Sequence, residues 1–148
     1  MNDLENKIRN IVKKILLPKQ NIIDVVGDIN SGYIRIVIDG EKNISLKETT
    51  NLTKKLKQSL EFEALLPKGY RLEVTSPGLD SPLKYPFQYK KNIGRKINVS
   101  YIENHENINS LAKIIDAGDE CVYLKINKAN IALDYKKINI AKVKITFN

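Results

Sequence analysis

One cysteine and one histidine in 148 residues remove most of the chemistry that a chain of this size could carry. Cys121 has no partner for an intramolecular disulfide, and zinc sites built on cysteine pairs are excluded with it. That usage suits a reducing cytosol. His105 stands in a polar turn, where a solvated surface residue fits better than a general base. Glycine-rich phosphate loops, nucleophile elbows and metal-ligand spacings are all missing. Asp24, Asp28 and Asp39 fall on or beside a hairpin, as a solvated rim rather than an acid/base pair. No catalytic residue, cofactor site or metal ligand is therefore assigned, and no enzyme is expected. Long apolar runs are missing too. Charges recur from Asp3 to Lys14, leaving neither the core of a signal peptide nor a membrane span, so a soluble cytoplasmic protein with no membrane partner is expected.

What remains is an ordinary globular composition, 42% hydrophobic, with a net charge of +8. The charge is uneven. Through Leu83 there are 13 Lys/Arg against 11 Asp/Glu, a balance of +2, and from Lys84 onward 12 against 6, a balance of +6. A field of that kind attracts polyanions by releasing the counterions condensed on phosphates, although lysine-rich surfaces also serve solubility alone.

Leu4, Ile8, Ile11, Val12, Ile15 and Leu16 recur at helical spacing behind a capping box, Asn2 with Glu5, and Pro18 ends the pattern. Ile23, Val25 and Ile29 alternate up to Asn30-Ser31-Gly32, and Ile34, Ile36 and Ile38 alternate after it, which is a hairpin. A second capping box, Ser45 with Glu48, opens a helix lined by Leu46, Leu52, Leu56 and Leu60. After Pro67-Lys68-Gly69, Tyr70, Leu72 and Val74 alternate with Arg71, Glu73 and Thr75 as a third strand. The order is α-β-β-α-β, two helices on one face of a three-stranded sheet. It is KH-like in order but lacks the Gly-x-x-Gly loop with which KH domains clamp a nucleic-acid backbone.

Residues 84–94 are aromatic and basic and read as an ordered connector. Strands alone follow. Ile97, Val99 and Tyr101 alternate, as do Ala112 and Ile114, and Val122, Leu124 and Ile126, with Cys121 read as a small core hydrophobe. Turns are expected at His105–Asn109 and Ala117–Asp119, and short strands near Ile131–Leu133 and Ile140–Ile145. Five short strands suggest a small barrel that closes its own edges. Lys90, Lys91, Arg95 and Lys96 form a candidate patch for nucleic-acid phosphates, and Tyr85, Phe87 and Tyr89 are free either to stack on bases or to pack between domains.

The third strand runs directly into Ser76-Pro77-Gly78-Leu79-Asp80-Ser81-Pro82. Pro77 fixes its own φ, and Gly78 is expected to take the positive φ of a type II turn. This stiff loop is either an interdomain link or a contact surface, carried by Ser76, Pro77, Gly78, Leu79 and Asp80. The run Leu-Glu-Val-Thr-Ser-Pro-Gly-Leu-Asp-Ser-Pro-Leu from Leu72 to Leu83 resembles the hallmark of the ribosome maturation factor RimP family, and the order of elements agrees along the chain. The family usually carries Arg where this chain has Ser81. Ile138-Asn-Ile-Ala-Lys-Val143 is similar to the family's closing strand, with Ile140 where Lys is common and the charge at Lys142.

The resemblance implies an N-terminal α/β domain (1–83), the connector (84–94) and a C-terminal SH3-like or Sm-like β-barrel (95–148), in all an α+β protein. It also implies a monomeric, non-catalytic assembly factor in ribosome biogenesis. Its implied partners are the free immature small ribosomal subunit, the twelfth ribosomal protein of that subunit, and rRNA phosphates. A general RNA-binding or RNA-chaperone module without ribosomal specificity is the alternative.

Overall fold

Helix α1 (Asp3–Ile15) starts at the expected capping box: Asn2 Oδ1 accepts from the Glu5 N–H at 2.7 Å, and Glu5 Oε1 accepts from the Asn2 N–H at 3.0 Å. The structure is a computed structural model that describes residues 1–78 and 80–145. Contacts divide the chain into two units, Met1–Pro77 and Gly78–Asn148, so the division falls inside the Ser76–Pro82 loop.

In the first unit, strands β1 (Gln20–Asp28) and β2 (Tyr33–Gly40) form the antiparallel hairpin, and β3 (Arg71–Thr75) pairs with β2 in parallel. The parallel pairing requires a crossover, supplied by α2 (Leu46–Lys57) and the single-turn α3 (Leu60–Glu63). Leu4, Ile8, Ile11 and Val12 of α1 pack with Ile22, Val25, Ile34, Ile36, Ile38, Leu52, Leu56, Phe62 and Leu66. Each such burial stabilises the unit by ~1.5–3 kcal/mol. At Gly27 a Cβ would lie 3.1 Å from Ile8 Cδ1 and 3.2 Å from a Leu4 methyl, so α1 approaches β1 closely there.

Three local expectations are corrected in this unit. Leu46 and Leu60, assigned to the stripe of the second helix, are 83% and 88% exposed. The helix stops at Lys57, and Ser59 starts a new one by accepting from the Phe62 N–H at 3.2 Å, which turns Phe62 inward instead of Leu60. A β-bulge between Ile22 and Asp24 puts both Ile22 and Ile23 in buried positions, and Ile29 falls in the hairpin turn, exposed. Asp39, expected on a solvated rim, is buried at the end of β2, where its carboxylate accepts from the Gly40 N–H at 2.9 Å.

The second unit opens with α4 (Pro86–Lys90) and continues through β4 (Lys96–Glu103), β5 (Glu106–Ala117), β6 (Cys121–Ile126), β7 (Ala129–Asp134), a 3-10 turn (Tyr135–Lys137) and β8 (Ile138–Val143). The sheet order is β7-β6-β5-β4-β8, antiparallel throughout. The closed barrel expected from the strand count is not formed. The 3-10 turn carries the chain past β7, and β8 adds beside β4, so among the described residues β7 and β8 remain the two edges. Leu83 meets the β8 edge through its N–H, which donates to the Ala141 carbonyl at 2.8 Å.

Three residues of the stretch expected as a connector, Gln88, Tyr89 and Asn92, are buried in this unit. Tyr89 is 2% exposed, with its ring centroid 5.0 Å from that of Tyr135. Gln88 and Asn92 are buried beside it, and Gln88 Oε1 accepts from the N–H groups of Lys84 and Tyr85 at 2.7 and 3.0 Å. The turn expected over His105–Asn109 is shorter. Asn104 and His105 take φ of 51° and 65°, the left-handed pair of a tight hairpin, and β5 has already begun at Glu106. Cys121 is half-buried rather than in the core, because Val122 and Leu124 take the inward positions of β6.

Candidate nucleic-acid interface and contact loop

The Ser76–Pro82 loop begins where β3 ends. Thr75 Oγ1 donates to the Ser76 carbonyl at 3.2 Å, and the Ser81 N–H donates to the Gly78 carbonyl at 3.0 Å, closing a tight turn. Gly78 is exposed but does not adopt positive φ; Gly32, Gly69 and Gly94 do. The expected type II geometry at Gly78 is thus overturned. A Cβ there would meet Asp80 Oδ1 at 3.4 Å and Ser81 Oγ at 3.5 Å, ordinary contact distances, so steric need does not explain this glycine. Ser76 and Pro77 are half-buried and Asp80 is exposed, while Leu79 lies outside the described residues.

The four residues of the expected basic patch share one stretch of chain but not one environment. Lys90, in the last turn of α4, pairs with Asp119 at 3.0 Å, and both side chains are largely exposed. Lys91 caps the same helix. Gly94, at φ 92°, then turns the chain so that its N–H donates to the Ile114 carbonyl at 2.8 Å, and the Ile114 N–H donates back to Arg95 at 3.0 Å. Arg95 and Lys96 are consequently held beside β5, both exposed. Lys96 stands directly opposite Lys113, a neighbour that the sequence did not reveal because it depends on the β4–β5 register.

Of the three aromatics offered for stacking, Tyr89 is ruled out by burial, which pushes its phenol pKa far up. Tyr85 and Phe87 lie on each other, with centroids 6.2 Å apart and planes 11° from parallel. Their outward faces remain the only ones of the set that an incoming base could use.

In the first unit, the side of β2 and β3 opposite Ile34, Ile36, Leu72 and Val74 carries charges that satisfy one another. Arg71 lies 5.0 Å over the Tyr33 ring, the Tyr33 hydroxyl donates to Glu73 at 3.0 Å, and Arg35 lies 3.9 Å from the same carboxylate. Burial, and then the Glu73 hydrogen bond, raise the Tyr33 pKa above its ordinary value. Two arginines against one carboxylate leave this surface a net charge of +1. Among the described residues no group of three His, Cys, Asp or Glu is arranged to hold a metal ion, and no helix is long and apolar enough to cross a membrane.

These features define an α+β protein of two units: helices and a mixed sheet in the first, an antiparallel sheet bearing exposed basic groups in the second. The family model for the RimP N-terminal domain matches residues 21–80. A curated Ribosome maturation factor RimP from Christiangramia forsetii is 31% identical over 159 aligned residues, covering 97% of this chain and 99% of that protein. The chain belongs to the ribosome maturation factor RimP family.

Proposed function

We propose that this protein acts without catalysis in maturation of the small ribosomal subunit, binding the free immature subunit in the cytoplasm as a monomer and leaving once the subunit is complete. The observation that carries this reading is the likeness to a ribosome maturation factor along nearly the full length of both chains. The loop of Ser76, Pro77, Gly78, Leu79 and Asp80 lies within the stretch that the family model matches. We read it as a contact loop.

The two units divide the work. The first has nearly balanced charge overall, and its partner is a protein, by family resemblance the twelfth ribosomal protein of the small subunit. The second carries most of the net charge, and Lys90, Lys91, Arg95 and Lys96 contact rRNA phosphates. Its antiparallel strands, the 3-10 turn before the last strand and the pairing of last strand with first support an SH3-like fold.

Sucrose-gradient sedimentation with ribosomal fractions tests the proposal. Selective comigration with free small subunits is the expected result. Indiscriminate binding to any RNA fraction would instead assign the chain to general RNA chaperones, and absence from all ribosomal fractions would remove the role altogether.

A further inference from the structure

Four lysines form a continuous row across the second sheet. Lys96 on β4 is directly opposite Lys113 on β5, Lys113 is directly opposite Lys125 on β6, and on the other side the Lys144 N–H, just past β8, donates to the Lys96 carbonyl at 2.9 Å. All four are exposed. Their neighbours Ile97, Ala112, Ile114 and Leu124 are buried, so the alternation of the strands sends Lys96, Lys113 and Lys125 to the outer face together. Strands lie ~4.8 Å apart, which places the backbone positions of Lys96, Lys113 and Lys125 within ~10 Å of one another.

Like charges directly opposite on a sheet are destabilising. None of the four makes an ion pair among the described residues. Past Ile114 and the β-bulge that follows it, Asp116 stands opposite Tyr123, but the Asp116 carboxylate accepts from the Ala117 N–H at 2.8 Å and also pairs with none of them. Four cations held in register without an ion-pair partner are available to an external anion.

The row borders a groove of about 570 Å³ on the same face of β8, β4 and β5, lined by Asn98, Ser100, Asn109, Leu111, Ile140 and Lys142. Leu111 and Ile140 are each 43% exposed, so the groove offers apolar flanks beside amide and hydroxyl groups. That combination suits a nucleoside lying off the end of a line of phosphates. Tyr123, also 43% exposed, adds an aromatic face one rung beyond Lys125.

We propose that Lys144, Lys96, Lys113 and Lys125 form a seat for the backbone of single-stranded RNA, with an unstacked nucleoside in the adjoining groove. Single strands fit better than duplex, because a paired base cannot enter the groove. Lysine binds phosphate as a point charge, and the groove beside the row, with its amide, hydroxyl and apolar lining, is what favours RNA over an acidic peptide. The inference deepens the rRNA contact proposed above, and it extends the second unit's binding surface from the α4 end across β8, β4, β5 and β6.

The test uses the full chain and an unstructured 12-nucleotide RNA, with affinity measured by fluorescence anisotropy across a salt series. Lys113→Glu with Lys125→Glu should weaken binding at least tenfold and lower the salt slope by about 1.4, at ~0.7 per lost single-strand phosphate contact. The same variant should melt no lower than the parent: the like-charge pair of positions 96 and 113 becomes an opposite-charge pair, while the pair of positions 113 and 125 stays like-charged with its sign reversed. Unchanged affinity and slope would overturn the proposal. Equal binding of the matching duplex, or equal competition by polyglutamate, would overturn it in favour of a general polyanion surface or an acidic protein partner. Sedimentation separates this from the ribosomal reading: comigration with subunits alongside a lysine-independent RNA affinity sinks only the seat. Lysine-dependent RNA binding without comigration sinks only the ribosomal role.

Discussion

Glu5 and Asn2 tie the first helix to the first sheet through two hydrogen bonds to Gly27, braced by the bond between them. One carboxylate oxygen accepts from Asn2 N–H at 3.0 Å and the other from Gly27 N–H at 3.0 Å, while Asn2 reciprocates to the Gly27 carbonyl at 2.8 Å. Removing the carboxylate in Glu5→Ala deletes half of the capping box, worth ~0.5–2 kcal/mol. It also strips a partly buried Gly27 N–H of its acceptor, at ~1–3 kcal/mol. The two effects overlap, so a total of ~2 kcal/mol is expected. In a unit of this size that lowers the melting temperature by roughly 8–16 °C. Glu5→Gln should fall between, because an amide offers one acceptor oxygen where the carboxylate offers two.

The pH dependence gives the sharper test. The Asn2 and then the Gly27 backbone N–H groups hold the Glu5 pKa below its ordinary 4.5. A carboxyl whose pKa is depressed by folding stabilises the fold above its unfolded pKa, and that contribution is lost as pH falls through the folded value. Urea unfolding followed by circular dichroism at pH 7 should therefore separate parent from Glu5→Gln clearly, and the gap should narrow as pH drops below 4.5. A gap that persists undiminished well below pH 4.5, or no gap at pH 7, would refute the account of the cap as charge-assisted.

The loop, the chain division and the basic surface give further expectations. Gly78→Ala should leave the melting temperature unchanged, because φ is not positive and the new Cβ meets only ordinary contacts; a shift in thermal melting of several degrees would contradict that geometry. If the loop is a contact surface, the same variant should weaken comigration with small subunits. A fragment of residues 78–148 should fold more stably than one of residues 85–148, by ~1–3 kcal/mol, since the shorter one loses Leu83 and its 2.8 Å bond to Ala141. Equal urea midpoints would deny Leu83 that part. Asp119→Asn frees Lys90 from an exposed ion pair worth under ~1 kcal/mol, so it should steepen the salt dependence of RNA binding with little change in stability. A shallower slope would exclude Lys90 from the interface.

The parts of this fold that depend on neighbours in sequence were legible before any coordinates. Both capping boxes form as written, at Asn2 with Glu5 and at Ser45 with Glu48, because a cap is set by residues three apart. The hairpin of β1 and β2 and the five strands of the second unit follow from alternation alone. Leu60 was misplaced because an equally local signal, Ser59 capping a new turn, competed with helical periodicity and won. At Gly78 the rule that glycine marks positive φ met a turn that does not need it, while Gly94 and Gly32, not singled out, do take it.

Register was the harder problem, and the candidate site depends on it. Reading Lys90, Lys91, Arg95 and Lys96 as one patch used adjacency in sequence, yet the fold sends Lys90 to Asp119 and sets Lys96 against Lys113 and Lys144. The row arises because the hairpin turns at Asn104–His105 and not over the longer stretch expected, which fixes β5 so that Ala112 faces Ile97 and Lys113 faces Lys96. A slip of one residue would have buried Lys113 and exposed Ile114. The alternation already forbade that slip, since Ala112 and Ile114 had to face inward. What alternation could not choose was a slip of two, which keeps every face and dissolves the row. Only the turn geometry selects between those registers, so the lysine row is a property of the turn as much as of the lysines.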